Sequence, residues 1–163
     1  MIFRLSAKLG KKLKLSPTKV LPACANPFAD WSAHLFTADR AQYILITNTV
    51  SLYSRVIFGR GITDDSTFLE HAISSLSELM KDDGFQFIRD RAFLPDTASI
   101  SFSKALNRSV TGSMNELVMF AQAILTEEEI SPYEVSFRLN KFLLSYLDYE
   151  YPHDAFGNMK IRR

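Results

Sequence analysis

Cysteine is nearly absent from this chain of 163 residues, which contains only Cys24. A single cysteine excludes an internal disulfide and agrees with a reducing compartment. Long hydrophobic runs are also missing, and none approaches the roughly 20 residues that cross a bilayer as a helix. The N-terminus lacks the apolar stretch and the cleavage site of a signal peptide. We therefore expect a cytoplasmic protein that does not associate with a membrane.

The short motifs of the common enzyme classes are missing as well. The sequence has no glycine-rich loop that ends in Gly-Lys-Ser or Gly-Lys-Thr, and no Gly-x-Ser-x-Gly nucleophile elbow. Its three histidines, His34, His71 and His153, do not form pairs at metal-ligand spacing. We therefore predict no metal site and no cofactor, and whether the protein is an enzyme stays open.

Apolar and aromatic residues, in contrast, are plentiful. The chain is 47% hydrophobic and 23% charged, with 13 Phe and 6 Tyr, which suits one globular domain with a substantial core. We expect a single domain over residues 1–163, in which about 157–163 form a mobile tail. The formal net charge of +1 is unevenly distributed, because residues 1–20 contain no acid, whereas the charged residues between 64 and 96 are mainly acidic. A polarised chain does not predict nonspecific nucleic-acid binding through bulk charge.

The first residues predict a strand followed by a short basic helix. Residues 1–5 have strand composition, and Ser6 is a suitable N-cap for a helix that ends near residue 15. On this helix Leu9 and Leu13 share one side. The lysines collect on the opposite side: Lys8, Lys11 and Lys12. A solvated face is the commoner explanation of such a basic stripe, and a surface for phosphate or for an acidic partner is the alternative.

The middle of the chain predicts a β-hairpin. Residues 43–50 read as a buried central strand, and residues 53–58 alternate as its antiparallel partner. Before the hairpin, Asp30 is expected to cap a short helix that runs through Phe36. After it, a helix is expected from about residue 64 until Gly84 stops it. Residues 85–94 fit either a strand or an irregular loop.

Residues 99–125 predict a strand, a polar hinge and a helix. Alternation over residues 100–104 changes to helical spacing from Met114 onwards. Ser113 begins a capping box, and Gly112 before it suits a positive φ, so we predict that the helix starts at Ser113.

The last helix is predicted to start at Ser131 and Pro132 and to bury a face that reaches Tyr146. Helices thus interleave with at least four strand candidates. The fold class predicted by this pattern is α+β, a single domain with a mixed or antiparallel sheet covered by helices.

Four groups of residues together resemble an uncharacterised family of small bacterial proteins known as a domain of unknown function. They are Ile2-Phe3-Arg4-Leu5 with Lys11-Lys12-Leu13; Trp31, Leu35-Phe36 and Arg40; Tyr43-Ile44-Leu45-Ile46-Thr47-Asn48 with Ser51-Leu52-Tyr53-Ser54; and Arg108-Ser109-Val110-Thr111-Gly112-Ser113-Met114-Asn115. The resemblance covers nearly the whole chain. It implies a single domain and brings no catalytic residue with it.

Two polar clusters are candidates for an anion site. One surrounds the first hairpin and contributes Asn48 and Arg55. The other is the hinge, which contributes Lys104, Arg108, Ser109, Thr111, Ser113 and Asn115. If their strands are neighbours, both clusters converge at one end of the sheet, where cations, hydroxyls and a helix N-terminus favour a phosphate. The plainer interpretation of the hinge is a well-capped turn.

Three functions fit these features. The leading hypothesis is a small intracellular binding module for a phosphate-bearing ligand, either nucleic acid or nucleotide. The alternative is a protein-interaction component, such as a regulator, a toxin-neutralising partner or an assembly subunit, with an aromatic surface over residues 146–156. The third is a metal-independent ribonuclease-like enzyme in which His34 or His153 moves protons. The oligomeric state stays open.

The hinge also allows a prediction about stability. Ser113→Ala should cost about 1 kcal/mol through the lost cap. Arg108→Ala should leave stability nearly unchanged, because Arg108 is expected in a connecting loop where it faces a ligand.

Overall fold

The computed structural model describes residues 1–161 and contains a five-stranded mixed sheet with six helices, so the fold is a single α+β domain. The strands are β1 (Ile2–Leu5), β2 (Asp30–Ala38), β3 (Ala41–Asn48), β4 (Ser54–Phe58) and β5 (Ser101–Ser103). The helices are α1 (Ala7–Leu13), α2 (Asp65–Asp82), α3 (Gln86–Ile88), α4 (Arg108–Glu127), α5 (Pro132–Leu139) and α6 (Pro152–Asn158). The expected mobile tail overlaps the end of α6, and residues 162–163 lie outside the described residues.

The strand order is β4-β3-β2-β1-β5. β1 lies parallel to both β2 and β5, whereas β2, β3 and β4 pair antiparallel. The predicted hairpin of β3 and β4 is confirmed, with Tyr43 opposite Phe58 and Thr47 opposite Ser54. β1, predicted from composition alone, occupies a central position in the sheet.

Helices cover the two faces of the sheet with two separate cores. On one face, α1 and α2 pack on Phe3, Trp31 and Ile44. On the other face, α4 and α5 pack on Leu45 and Val56. α5 also lies along the outer edge of β4, where side chains of the helix bond to the free backbone groups of the strand. The edge of β4 is therefore closed to pairing with another strand.

The helices that follow β1 and β5 diverge to opposite faces of the sheet. Leu9 and Leu13 of α1 join the core under α2, whereas Val110 and Met114 of α4 join the opposite core. Since β1 and β5 are parallel neighbours, their carboxyl ends meet at the same edge. A crevice opens there, as it does at the switch points of other open sheets with parallel strands.

A buried ion pair lies on β1 and β2. Arg4 Nε donates to Asp30 Oδ1 and Arg4 Nη2 to Asp30 Oδ2, both at 2.8 Å, and each residue is 1% exposed. Arg4 also donates to the carbonyl oxygens of Leu21 and Pro22, at 2.6 and 3.1 Å. Asp30 Oδ2 accepts the amide of Cys24 at 3.0 Å. This network holds the proline-containing loop against the sheet.

The predicted helix from Asp30 to Phe36 is wrong. This segment is the first part of β2, which pairs with β1 on one side and β3 on the other. Pairing on both sides overrides the local preference, and the Asp30 carboxylate binds Arg4 instead of capping a helix.

The segment that fitted either a strand or a loop is helical. α3 continues into a π-helical turn, Arg89–Phe93, and then into a 3-10 turn, Leu94–Ala98. Gly84 ends the preceding helix region with φ +83°, as predicted.

The start of α4 differs from the prediction. The helix begins at Arg108, and Asn107 is the N-cap, with its Oδ1 accepting the Val110 amide at 2.9 Å. Ser113 lies in the second turn, where its hydroxyl donates to the Ser109 carbonyl at 3.0 Å. Gly112 is an ordinary helical residue without positive φ.

The start of the last predicted helix is confirmed and its extent is wrong. The Ser131 hydroxyl accepts the Glu134 amide at 3.2 Å, but α5 ends at Leu139. Leu143 and Tyr146, expected on its buried face, are 54% and 41% exposed.

Candidate anion-binding cleft

A cleft of about 790 Å³ lies in the crevice between α1 and α4. β1 ends at Leu5, opposite Ala33, whereas β2 continues to Ala38. The cleft occupies the space beyond the end of β1. It is lined by Leu5, Ser6, Ala7, Lys8, Gly10, Lys11, Leu15, Ser16, Pro17, His34, Leu35, Lys104, Ala105, Thr111 and Asn115. We refer to it as the lysine cleft.

Three lysines from two separate elements supply its charge. Lys8 and Lys11 lie on α1, and Lys104 directly follows β5. No Asp or Glu lines the cleft, and none of the three forms an ion pair within residues 1–161. All three side chains are exposed. Their positive charge therefore remains uncompensated, and the cleft favours an anion.

Polar groups of α1 and α4 flank the lysines. Ser6 is the N-cap of α1 and accepts the Leu9 amide at 3.3 Å. Thr111 and Asn115 lie four residues apart on α4, so they share one face of that helix. The Thr111 hydroxyl donates to the Asn107 carbonyl at 3.1 Å. Asn115 is exposed and available for a ligand.

His34 reaches the cleft from the part of β2 that extends beyond β1. The side chain is half-buried, and burial lowers the pKa of its imidazole below the ordinary value of 6.5. Burial penalises the charged form and so favours the neutral imidazole, which offers one donor and one acceptor.

An apolar wall completes the cleft and depends on a close approach of the chain to α1. Lys14 takes a left-handed conformation with φ 59°, and the Leu15 amide then donates to the Gly10 carbonyl at 2.8 Å. A Cβ at Gly10 would lie 2.8 Å from the Leu15 carbonyl oxygen, so only glycine fits. This turn places Leu15 and Pro17 in the lining of the cleft, to which Leu35 also contributes.

The predicted site residues divide between the cleft and other parts of the molecule. The cleft is lined by five of them: Lys8, Lys11, Lys104, Thr111 and Asn115. Outside its lining lie Lys12, Arg108, Ser109, Ser113, Asn48 and Arg55. Lys12 donates instead to Gln42 Oε1 at 2.9 Å. The basic stripe and the hinge, predicted as separate features, thus meet at one site.

The predicted convergence of the two polar clusters does not occur. β4 and β5 form opposite edges of the sheet, and Asn48 lies opposite Trp31 near the start of β2. Asn48 is buried in a turn, where its Oδ1 accepts the Ser51 amide at 2.9 Å and its Nδ2 donates to the Pro27 carbonyl at 2.8 Å. Its role is therefore structural.

The two candidate catalytic histidines are also separated. His34 lines the cleft, whereas the His153 ring lies 4.7 Å from that of Phe85 and bonds to Asp154. Several cleft residues had no functional signal of their own in the sequence: Ser6 was predicted only as a cap, Leu15 only as the end of the first helix, and Leu35 only as part of the short helix expected after Asp30.

Two further findings concern metals and membranes. Within residues 1–161, no group of three or more His, Cys, Asp or Glu side chains is arranged to hold a metal ion. No helix in that range is both long enough and apolar enough to span a bilayer.

In a comparison with protein families, a model described as a domain of unknown function, DUF6933, matches residues 2–155. The chain belongs to this DUF6933 family. The match confirms the resemblance to an uncharacterised family and covers nearly all of the chain. No curated protein and no solved structure matches.

Proposed function

We propose that this DUF6933 protein is a binding module for a small phosphate-bearing ligand of the nucleotide class, and that the ligand occupies the lysine cleft. The observation that carries the proposal is the set of three lysines, Lys8, Lys11 and Lys104, around one cleft without an acidic residue. An ammonium group binds phosphate as a compact charge with three donors.

The position of the cleft supports the proposal. It lies beyond the carboxyl end of β1, where α1 and α4 leave the sheet on opposite faces. Crevices at such switch points are the common ligand sites of open sheets with parallel strands. The ligand would thus contact residues of α1 and of the hinge at the same time.

The size and the apolar wall favour a small molecule over a nucleic-acid chain. Pockets for small ligands and cofactors span roughly 300–1,000 Å³ and are largely apolar, and the cleft has about 790 Å³. Leu15, Pro17 and Leu35 offer an apolar surface for the body of a ligand. Within residues 1–161 no Phe, Tyr or Trp lines the cleft, so it lacks the large aromatic platforms on which the bases of single-stranded nucleic acids stack.

Calorimetric titration with nucleoside mono-, di- and triphosphates, inorganic phosphate and a short RNA tests the proposal. We expect nucleotides to bind more tightly than RNA. Lys104→Gln and Lys8→Gln should each weaken binding about tenfold, the effect of losing about 1.4 kcal/mol of interaction. Lys12→Gln is the matched control, because Lys12 lies on the same helix but bonds to Gln42 outside the cleft.

Two results would reject the proposal. One is the absence of binding to every phosphate compound at low salt, where charge interactions are strongest. The other is binding that is as tight after Lys8→Gln and Lys104→Gln as after Lys12→Gln.

An exposed aromatic and aliphatic surface supports a second candidate function, that of a protein-interaction component. Phe120 of α4 stacks on Phe142 with ring centroids 4.5 Å apart. Leu143, Tyr146 and Tyr149 follow and are 54%, 41% and 68% exposed. Exposed apolar groups of this kind are common in interaction surfaces. The predicted aromatic surface loses one member, because Phe156 is fully buried in the core.

Affinity purification from the native cell tests this candidate. A partner retained by the unmodified chain should be lost with Leu143→Ser and Tyr149→Ser and kept with Lys8→Gln. Recovery of the chain alone as a monodisperse monomer would argue against the candidate.

A further inference from the structure

A second cavity lies beside β4, the edge strand opposite to β5 in the sheet. It has a volume of about 340 Å³ and opens beside β4, α2 and the start of α5. Its lining contains Arg55, Ile57, Phe58, Arg60, Ile62, His71, Ser75, Ser131, Pro132 and Tyr133, with no acidic residue. We refer to it as the Arg55 pocket.

Arg55 is a buried cation with incomplete compensation. The side chain is 9% exposed. Its Nη1 donates to the Val56 carbonyl at 2.6 Å, and its Nε donates weakly to the Ser75 carbonyl at 3.4 Å. Nη2 has no hydrogen bond within residues 1–161, and its nearest carboxylate oxygen, Glu78 Oε2, is 3.9 Å away on a side chain that is 59% exposed. A buried guanidinium normally has a close carboxylate partner.

The surroundings of Arg55 leave the charge only partly offset. Its Cζ lies 4.8 Å from the centre of the Tyr133 ring, a cation–π contact. Burial lowers the pKa of the guanidinium below its ordinary value, and Glu78, Tyr133 and Tyr53 counteract this effect in part. In contrast, Arg4 is more deeply buried and meets Asp30 at 2.8 Å through two nitrogens.

Two further groups of the pocket are suited to an anion. Arg60 is exposed, lines the same pocket and forms no ion pair within the described part of the chain. His71, on α2, is also exposed and can donate from its ring.

We propose that the Arg55 pocket is a second binding site, which takes a small oxyanion such as a carboxylate or a phosphate group between Arg55 and Arg60. The Nη2 of Arg55, which makes no hydrogen bond within residues 1–161, and the guanidinium of Arg60 supply planar donors that match either group. At about 340 Å³ the pocket holds a small acid, or the acidic group of a larger molecule. This site is independent of the function proposed for the lysine cleft.

The test uses the full chain with Lys8→Gln and Lys104→Gln, so that the lysine cleft does not contribute. Inorganic phosphate and succinate are titrated separately, and the resonances of the Arg55 Nε–H and the His71 ring are followed by NMR. We expect saturable shifts of both resonances with at least one of the two probes, and the probe that binds distinguishes phosphate from carboxylate.

Arg60→Gln in the same background should weaken this binding about tenfold. Arg60 is exposed, so the variant should fold normally, whereas replacement of the buried Arg55 risks unfolding. Arg40→Gln is the control, since Arg40 is also exposed and lies outside the pocket. The absence of a saturable shift with both probes, or equal affinity in the Arg60 and Arg40 variants, would overturn the proposal.

Discussion

Arg4 of β1 and Lys104, which directly follows the neighbouring strand β5, are two cations with opposite roles. Arg4 lies opposite Ser103 across β1 and β5, and Lys104 is the next residue. Arg4 is 1% exposed and makes five side-chain hydrogen bonds. Lys104 is exposed, and only its backbone is bonded within residues 1–161: its amide donates to the Lys19 carbonyl at 3.0 Å, and its carbonyl accepts the Ser103 hydroxyl at 2.8 Å. Burial requires a partner for Arg4, whereas exposure leaves the charge of Lys104 available to a ligand.

The largest test of this comparison is Arg4→Met. The substitution leaves the buried Asp30 carboxylate without its cation and should destabilise the fold by about 3–5 kcal/mol. Lys8→Met, on an exposed and unpaired lysine, should change stability by no more than about 0.5 kcal/mol. Chemical denaturation of both variants measures the difference, and similar midpoints would show that the ion pair adds little.

The polar residues of the hinge extend the comparison from charges to hydrogen bonds. Asn107 caps α4, so Asn107→Ala should cost about 1 kcal/mol. Ser113→Ala should cost much less, because Ser113 lies inside the helix and only bonds back to Ser109. Thermal melts of the two variants measure which substitution lowers stability more. A larger loss for Ser113→Ala would restore it as the cap.

The half-buried His34 should make the stability of the fold depend on pH. Burial lowers its pKa in the folded state, so the unfolded chain binds more protons, and stability should fall as pH drops through the unfolded value of about 6.5. A phosphate ligand in the cleft should raise the pKa of His34, since a negative charge favours the imidazolium. Urea midpoints across pH, with His34→Gln as control, and NMR titration of the ring measure both effects. An identical pH profile for His34→Gln would contradict the assignment.

The smallest expected effect is that of Arg108→Ala. Arg108 is exposed at the first position of α4 and lies outside the lining of the cleft. A cation is unfavourable at a helix N-terminus, so its removal should raise stability by about 0.3 kcal/mol and leave nucleotide binding unchanged. Thermal melts test the change in stability, and calorimetry tests nucleotide binding. A loss of affinity would show that Arg108 contributes to the binding site.

The sequence correctly predicted the elements that are specified by residues close together in the chain. The β3–β4 hairpin followed from a run of β-branched residues, and α5 started where Ser131 and Pro132 indicated. β2 was predicted as a helix because its Asp30 resembles a cap. The Arg4 partner of Asp30 is 26 residues away in the chain, and no local pattern reveals it.

The start of α4 shows why two good caps are hard to rank. Asn107 and Ser113 are both suitable, but a start at Arg108 places Val110 in line with Met114 and Leu117 on the buried face. Burial of that additional residue favours the earlier start.

For the same reason, the sequence indicated the cations of the candidate site but not that they lie together. Lys8, Lys11 and Lys104 were identified as cations from the sequence, but their convergence depends on the pairing of β1 with β5, which adjacent residues do not encode.

The pairing of β1 with β5 also has a consequence for folding. Phe3 and Phe102, opposite each other in these strands, are separated by more than half of the chain, and contacts of such long range form slowly because they must close a large loop. The β2–β3–β4 meander, in contrast, consists of neighbours in sequence. The meander can therefore form early, while the lysine cleft assembles only when β5 docks. A cleft ligand would bind only the complete fold and would hold the short β5 strand against local opening.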